Sequence, residues 1–245
     1  MKRRDFLMGG ASLGLMVAAA GAVGGAAAPK SAADSSENGG RLTPPANFEI
    51  PVAFAISEGV TVIDFAGPWE VFQDVMLPER GGDMDNQMPF RLFTVSESTR
   101  PVTGSAGLRI VPDHAFDTAP QPRVIVVPAQ RGGKALHAWL RKASQKADVT
   151  MSVCTGAFQL ARAGLLSGKP ATTHHDFLDN LAKEFPDIDV RRGLRFVESG
   201  PHLATAGGLT SGIDLALRVV ERYFGRGAAE RTAIYMEYQS KGWIV

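Results

Sequence analysis

The chain has 245 residues, of which 44% are hydrophobic, and its formal net charge at pH 7 is +1. Acidic and basic residues are interspersed, without the basic stripe typical of nucleic-acid binding or an acidic tail for a charged partner. The single cysteine, Cys154, excludes an internal disulfide.

The N-terminus has the pattern of an export signal. Arg3 and Arg4 precede a long uncharged stretch rich in Gly and Ala. A twin arginine before a weakly apolar run is typical of the Tat route, and an uncleaved membrane-anchored N-terminus is the alternative. We expect periplasmic export and no stable membrane insertion after cleavage. The predicted boundaries are a signal peptide at 1–33, a disordered leader at 34–46 and one domain at 47–245.

The first half of the domain alternates β-rich runs with helical periodicity. The pattern predicts a strand at 49–56, a helix at 62–75, a strand at 90–95, a hairpin at 102–111 and a strand at 123–128. The run at 123–128 is almost wholly apolar, which is typical of a strand buried on both faces.

The second half continues the alternation. The predicted elements are a helix at 134–146, a strand at 149–153, helices at 155–163 and 176–184, strands at 196–198 and 202–205, and an amphipathic helix at 211–224. Such alternation predicts an α/β three-layer sandwich, in which a mostly parallel sheet has helices on both faces. Ligands of these sheets bind outside the carboxyl ends of the strands.

Cys154 stands between a predicted strand and a predicted helix, the layout of a nucleophile elbow. Backbone N–H groups at a helix start favour a thiolate over a thiol. The alternative is a buried small hydrophobic residue, and position alone favours neither. An unpaired thiol in an oxidising compartment is a liability unless it is buried or used, which favours a catalytic role.

Two acids and a threonine are candidate partners of Cys154. Asp64 follows the first strand at the same predicted sheet edge, where it could exchange a proton with the sulfur. The alternative is that Asp64 caps a helix beginning near Gly67, and spacing alone favours the cap. Glu70 is a weaker candidate for the same role. The Thr155 N–H could contribute to an oxyanion hole, while its hydroxyl could cap the following helix.

Two adjacent histidines, His174 and His175, lie in a polar stretch before a predicted helix. His174 could serve as a general base or a pocket residue. The pair could also mark only the entry to the helix, or a surface metal site. We expect no metal, because the chain has neither an HExxH nor a CxxC pattern.

Four motifs together resemble the ThiJ/PfpI superfamily, which has a flavodoxin-like, glutamine amidotransferase-like α/β fold. The resemblance extends from about residue 48 to residue 224. It is greatest to the isonitrile hydratase branch, which also forms the sensor half of some AraC-type regulators. The motifs are DFAGPWEVF at 64–72, SVCTGAF at 152–158, GLLSGKPATTH at 164–174 and TAGGLTSGIDLAL at 205–217.

The resemblance implies roles for individual residues. Cys154 matches the elbow cysteine, and Asp64 matches the acid that approaches its sulfur, which changes our interpretation of Asp64 from a cap to a functional acid. Thr155 stands where peptidase-like relatives have His, and His174 matches a histidine near the site. The family usually has Pro-Gly-Gly where Ala129 and Gln130 follow Pro here. The amide of Ala129 would supply part of the oxyanion hole.

The resemblance also implies a homodimer and a reaction without metal or organic cofactor. We expect an exported cysteine-dependent enzyme that acts on a small molecule, most similar to an isonitrile hydratase, with a Cys154 thiolate and Asp64 as proton shuttle. One alternative is a module that binds a metabolite without converting it. Another is a redox or glyoxal-protective protein that uses Cys154.

Overall fold

The computed structural model describes residues 39–47 and 49–245. The predicted signal peptide at 1–33 and the first part of the predicted leader lie outside these residues. In the part of the chain that is described, no helix combines the length and the apolar character needed to cross a membrane.

A seven-stranded sheet forms the centre of the domain. Its spatial order is β10 (Phe196–Glu198), β11 (Leu203–Ala206), β7 (Val149–Ser152), β6 (Val124–Val127), β1 (Ile50–Ala55), β2 (Phe90–Ser96) and β5 (His114–Ala115). Every neighbouring pair is parallel except β10 and β11. Strands β6, β7 and β11 are buried along their whole length, as expected of central strands covered on both faces.

Two small sheets lie outside the central one. Strands β3 (Val102–Thr103) and β4 (Arg109–Ile110) form the predicted antiparallel hairpin. Strands β8 (Pro170–Ala171) and β9 (Asp189–Val190) pair in parallel and were not predicted.

Seven α-helices surround the sheet within the described residues. They are α1 (Val62–Gln73), α2 (Met84–Gln87), α3 (Lys134–Ala143), α4 (Gly156–Arg162), α5 (Leu178–Glu184), α6 (Ser211–Phe224) and α7 (Arg226–Tyr235). Short 3₁₀ turns at Ser144–Lys146 and His175–Phe177 complete the segments predicted as longer helices. Helix α7 was not predicted.

The side chains of β1 show why the fold has three layers. Val52 and Phe54 belong to one apolar cluster, which includes residues of α1, α6 and α7. Ala53 and Ala55 point to the other face and belong to a second cluster with residues of α3, α4 and α5. The prediction of a mostly parallel sheet with helices on both faces is therefore confirmed.

Residues 39–46 correct the prediction of a disordered leader over 34–46. The Leu42 side chain is buried, and its N–H donates to the Arg222 carbonyl oxygen at 2.8 Å. The Arg222 guanidinium in turn donates to the Gly40 carbonyl oxygen at 2.9 Å. This segment is ordered because a leucine and backbone groups find partners on α6, which its polar composition did not indicate.

Candidate active site

Four neighbouring strands each lead into one residue of the site. Asp64 follows β1, Ala129 follows β6, Cys154 follows β7 and Leu209 follows β11. Because these strands are parallel, their carboxyl ends meet at one edge of the sheet. The site therefore forms where an α/β fold of this kind places its ligands.

Cys154 forms a strained turn between β7 and α4. Its φ angle is 58°, in the left-handed region that residues with a side chain rarely adopt. The Cys154 N–H donates to the Gly207 carbonyl oxygen at 2.8 Å, and the Thr173 hydroxyl donates to the Cys154 carbonyl oxygen at 2.9 Å. These two bonds hold the elbow, and the cysteine side chain is only 7% exposed.

Gly156 lets the helix after the cysteine approach the neighbouring strand closely. A Cβ atom at this position would collide with the carbonyl oxygen of Val127, the last residue of β6. Only glycine permits this contact. The elbow is thereby held against the loop that follows β6, which carries Ala129.

Asp64 lies in the first turn of α1 and is completely buried. Its Oδ2 accepts the Ala129 N–H at 3.1 Å, while the Ala129 carbonyl oxygen accepts the Thr61 N–H at 2.9 Å. The cap interpretation is wrong, because α1 already begins at Val62 and the carboxylate faces the loop after β6, which carries Ala129. Oδ1 is also buried and makes no hydrogen bond of standard geometry with the described residues.

Burial raises the pKa of Asp64 to about 6. Three donors oppose this effect and lower the pKa: the Ala129 N–H, the Cys154 thiol and the Leu209 N–H. The carboxyl group is therefore mostly ionised at neutral pH, yet it takes up a proton far more readily than an exposed aspartate.

The same environment raises the pKa of Cys154 to about 11. Burial is the largest cause, and the negative charge of Asp64 is the second. The N–H groups of Thr155 and Leu209 lower the pKa, as expected of backbone donors near a helix start. Their effect is smaller than that of burial and the Asp64 charge. The prediction of a resting thiolate is therefore wrong: at neutral pH the sulfur keeps its proton beside an ionised Asp64.

Leu209 is a site residue that the sequence did not identify. Its φ angle is 51°, so it is strained in the same way as Cys154, and its N–H acts on both Cys154 and Asp64. The contributing group is a backbone N–H, which no side-chain pattern reveals. The motif at 205–217 contains the residue but does not indicate its role.

The two predicted oxyanion-hole donors differ in their contacts. The Thr155 N–H interacts with the Cys154 sulfur, whereas the Ala129 N–H is bonded to Asp64. The Thr155 side chain makes no capping hydrogen bond, so its hydroxyl does not cap α4. The N–H groups that face the sulfur are thus those of Thr155 and Leu209.

His174 and Glu70 are not part of the Cys154–Asp64 pair. The His174 Nδ1 accepts the Asp176 N–H at 3.2 Å, and its ring packs against Gly208. Glu70 lies further along α1. Neither is among the main causes of the pKa shifts of Cys154 and Asp64. His174 therefore borders the loop that carries Leu209, without the geometry of a base for the thiol.

One group of three potential metal ligands occurs in the described part of the chain: His174, His175 and Asp176, with ligand atoms within 4.8 Å of one another. Most of this group is exposed. The His175 Nε2 lies 3.2 Å from an oxygen of Asp176, a contact between two exposed side chains that are adjacent in the chain. None of the three residues acts on the Cys154–Asp64 pair.

Residues 51–222 match the DJ-1/PfpI family. The chain belongs to this family. An isonitrile hydratase from Pseudomonas putida is 33% identical over 198 residues, which cover 77% of this chain and 78% of that enzyme. The transcriptional regulator CdhR from Pseudomonas aeruginosa is 31% identical over 56% of this chain and 41% of the regulator.

Solved structures agree with this assignment. A ThiJ/PfpI family protein from Pseudomonas syringae superposes with a TM-score of 0.67 at 29% identity, covering 79% of this chain and 76% of that one. DJ-1beta from Drosophila melanogaster has a TM-score of 0.64 at 16% identity, which shows the fold alone. The ThiJ/PfpI resemblance and the flavodoxin-like fold are thereby confirmed.

Proposed function

We propose that this protein is a cysteine-dependent enzyme that hydrates an isonitrile to an N-substituted formamide, without metal or organic cofactor. The observation that carries the proposal is the pairing of Cys154 with a buried Asp64 that no cation neutralises among the described residues. The similarity to the Pseudomonas putida isonitrile hydratase supports the choice of substrate class.

The resting pair holds one proton in a position to be transferred. Asp64 takes the proton from the Cys154 thiol as the sulfur attacks the terminal carbon of the isonitrile, and an S–C bond forms. The proton passes to that carbon, which gives a thioimidate in which carbon is doubly bonded to nitrogen. The N–H groups of Thr155 and Leu209 stabilise negative charge on the sulfur as it develops.

Water then completes the reaction. Asp64 removes a proton from a water molecule that adds to the thioimidate carbon, and the nitrogen gains a proton. The S–C bond breaks as the C=O bond forms, the formamide leaves, and the sulfur recovers its proton. The sum is one isonitrile and one water converted to one formamide, with both residues restored. A carboxyl group with a pKa of about 6 suits this exchange, because it can both accept and return a proton near neutral pH.

The test uses the purified chain and alkyl isonitriles, with formamide followed by NMR. Cys154→Ser and Asp64→Asn should each lower kcat/KM at least 100-fold, the scale of a lost nucleophile or proton-transfer group. Glu79→Gln is the control, since it neutralises an exposed acid that follows α1 and pairs with Arg231 at 3.7 Å, and it should retain activity. Full turnover by Cys154→Ser would overturn the mechanism.

The second candidate is a domain that binds a small molecule without converting it. Similarity to CdhR, a transcriptional regulator, favours such a non-catalytic role. Thermal stabilisation by isonitriles or other metabolites without product would favour this function. The redox alternative requires a thiolate at neutral pH, which the raised pKa of Cys154 opposes. An absence of added oxygen on Cys154 during peroxide titration, measured by intact mass, would exclude that alternative.

We also propose Tat-dependent export to the periplasm and a homodimer. The twin arginine supports the first, and the family resemblance supports the second. Cell fractionation of the Arg3→Lys, Arg4→Lys double variant should find the protein retained in the cytoplasm. Light scattering should give twice the chain mass, and a monomer would contradict the second proposal.

A further inference from the structure

Gln159 is a buried polar residue on the helix that follows the cysteine. Its side chain is 2% exposed, and its carboxamide nevertheless makes a full set of bonds. Nε2 donates to the Gln130 carbonyl oxygen at 3.0 Å and to the Arg131 carbonyl oxygen at 3.4 Å. Oε1 lies 2.8 Å from the Nε2 of His137, which must therefore carry the proton of that contact.

The loop after β6 is folded closely around this carboxamide. Gly132 has a φ angle of 70°, and a Cβ atom there would collide with the Gln159 Oε1. Three further bonds attach the loop to β1 and the turn after it. The Gln130 Nε2 donates to the Ala55 carbonyl oxygen, the Arg131 N–H to the Glu58 carbonyl oxygen and the Gly132 N–H to the Ser57 hydroxyl. Of these hydrogen bonds, only those of Gln159 connect the loop to α4, whose first residue, Gly156, packs closely against the start of the loop.

The loop carries the N–H that binds Asp64. Ala129 directly precedes Gln130, and its N–H donates to the Asp64 Oδ2 at 3.1 Å. A displacement of Gln130 would rotate the peptide next to it and move this donor. Three groups lower the pKa of Asp64: this N–H, the Leu209 N–H and the Cys154 thiol. The loss of one of them should raise that pKa measurably.

We propose that Gln159 is a positioning residue, whose carboxamide holds the 129–132 loop on α4 so that the Ala129 N–H stays on the Asp64 carboxylate. Gln159 bonds to Gln130, Arg131 and His137, and it acts on the reacting pair only through Ala129. The inference rests on the Asp64–Cys154 pair of the proposed function. It assigns the orientation of that pair to a helix residue outside the site.

The test is an NMR titration of the Ala129 amide proton in the full chain, labelled with ¹⁵N. An N–H bonded to a carboxylate shifts as the carboxylate ionises, so this signal should titrate with a midpoint of about 6 in the unaltered protein. Gln159→Leu keeps the side-chain size but removes both donor bonds. The midpoint should rise by about one pH unit, because the lost Ala129 bond lowers the pKa of Asp64, and the shift amplitude should fall.

Two further variants separate positioning from packing. His137→Leu removes the other partner of the same carboxamide and should leave the midpoint unchanged. Gly132→Ala disturbs the contact from the loop side and should raise the midpoint as Gln159→Leu does, which provides the test if the latter does not fold. A wild-type titration in folded Gln159→Leu or Gly132→Ala would overturn the proposal, and so would an equal shift in His137→Leu.

The readout needs no substrate, so the two proposals can fail separately. A protein that hydrates no isonitrile but shows the expected Ala129 titration would contradict the proposed function alone. The positioning role alone would be contradicted if the protein is a working hydratase but its Gln159→Leu variant keeps the Ala129 midpoint. In that case the fall of kcat/KM at acid pH would also be unchanged.

Discussion

Two aspartates, Asp64 and Asp214, are completely buried in the first turns of two helices that pack together, α1 and α6. Their partners are very different. Asp214 Oδ2 lies 2.6 Å from the Arg195 Nε and 2.5 Å from its Nη2, while Oδ1 accepts the Ser240 hydroxyl at 3.0 Å. Asp64 has backbone N–H groups and a thiol, and no cation faces it among the described residues.

The difference shows how one fold uses the same residue type in two ways. A buried carboxylate matched by a guanidinium joins segments, here α6, the residue before β10 and the chain after α7. When a buried carboxylate has only neutral donors as partners, burial destabilises its ionised form. Its pKa rises, and it accepts a proton more readily. The comparison predicts that removing the partner of Asp214 harms stability, whereas neutralising Asp64 improves it.

The largest expected effect on stability is that of Arg195→Leu. This change leaves Asp214 charged and buried without its cation, and the free energy of unfolding should fall by about 3 kcal/mol. Arg192→Leu is the matched control, because Arg192 pairs with Asp179 on an exposed surface and its loss should cost under about 1 kcal/mol. Urea unfolding measures both. Equal losses would show that the buried pair has no special role.

Asp64→Asn should have the opposite sign. Because the pKa of Asp64 is raised to about 6, the contribution of this group to stability is present below about pH 4 and lost as the pH rises through 6. The variant should therefore be more stable than the unaltered protein by about 2 to 3 kcal/mol at pH 8, and the difference should disappear below about pH 4. Urea unfolding across this pH range tests the sign. A less stable variant at pH 8 would contradict the comparison.

Topology explains why much of the site could be predicted. Cys154 was expected at a strand end because a β-rich run meets a helical one there, and parallel strands place Asp64 at the same edge. The role of Asp64 could not be decided from spacing, because an acid early in a helix is equally suited to a cap. The structure decides it by starting α1 at Val62 and turning the carboxylate to Ala129.

The rest of the site depends on contacts between distant segments. The direction of the Cys154 pKa shift was wrong because local reasoning includes the helix start but not the burial by other elements or the charge of Asp64. Leu209 acts through its backbone, and Gln159 occupies an ordinary helical position. Helix α7 was missed because Arg226–Tyr235 has little amphipathic pattern.

The smallest predicted effect on stability is that of Thr173→Val. It tests whether a hydrogen-bonded hydroxyl at the elbow contributes more than an unpaired hydroxyl on the sheet. Thr173 donates its hydroxyl proton to the Cys154 carbonyl oxygen, and both residues are buried. Thr173→Val keeps the shape but removes the shorter of the two hydrogen bonds to that carbonyl and leaves the longer one from the Ala157 N–H, so the free energy of unfolding should fall by about 1 kcal/mol. The strained elbow should also relax, which changes the alkylation rate of the single thiol by iodoacetamide.

Thr150→Val is the control for this change. Thr150 lies on β7, equally buried, and its hydroxyl has no hydrogen-bond partner within the described residues. Replacing it with the isosteric apolar residue removes an unsatisfied group, so stability should stay the same or rise slightly. If Thr150→Val destabilised the protein as much as Thr173→Val, the cost would lie in repacking the threonine and not in the bond to Cys154. A loss confined to Thr173→Val, together with a changed alkylation rate, would show that the elbow conformation depends on this bond.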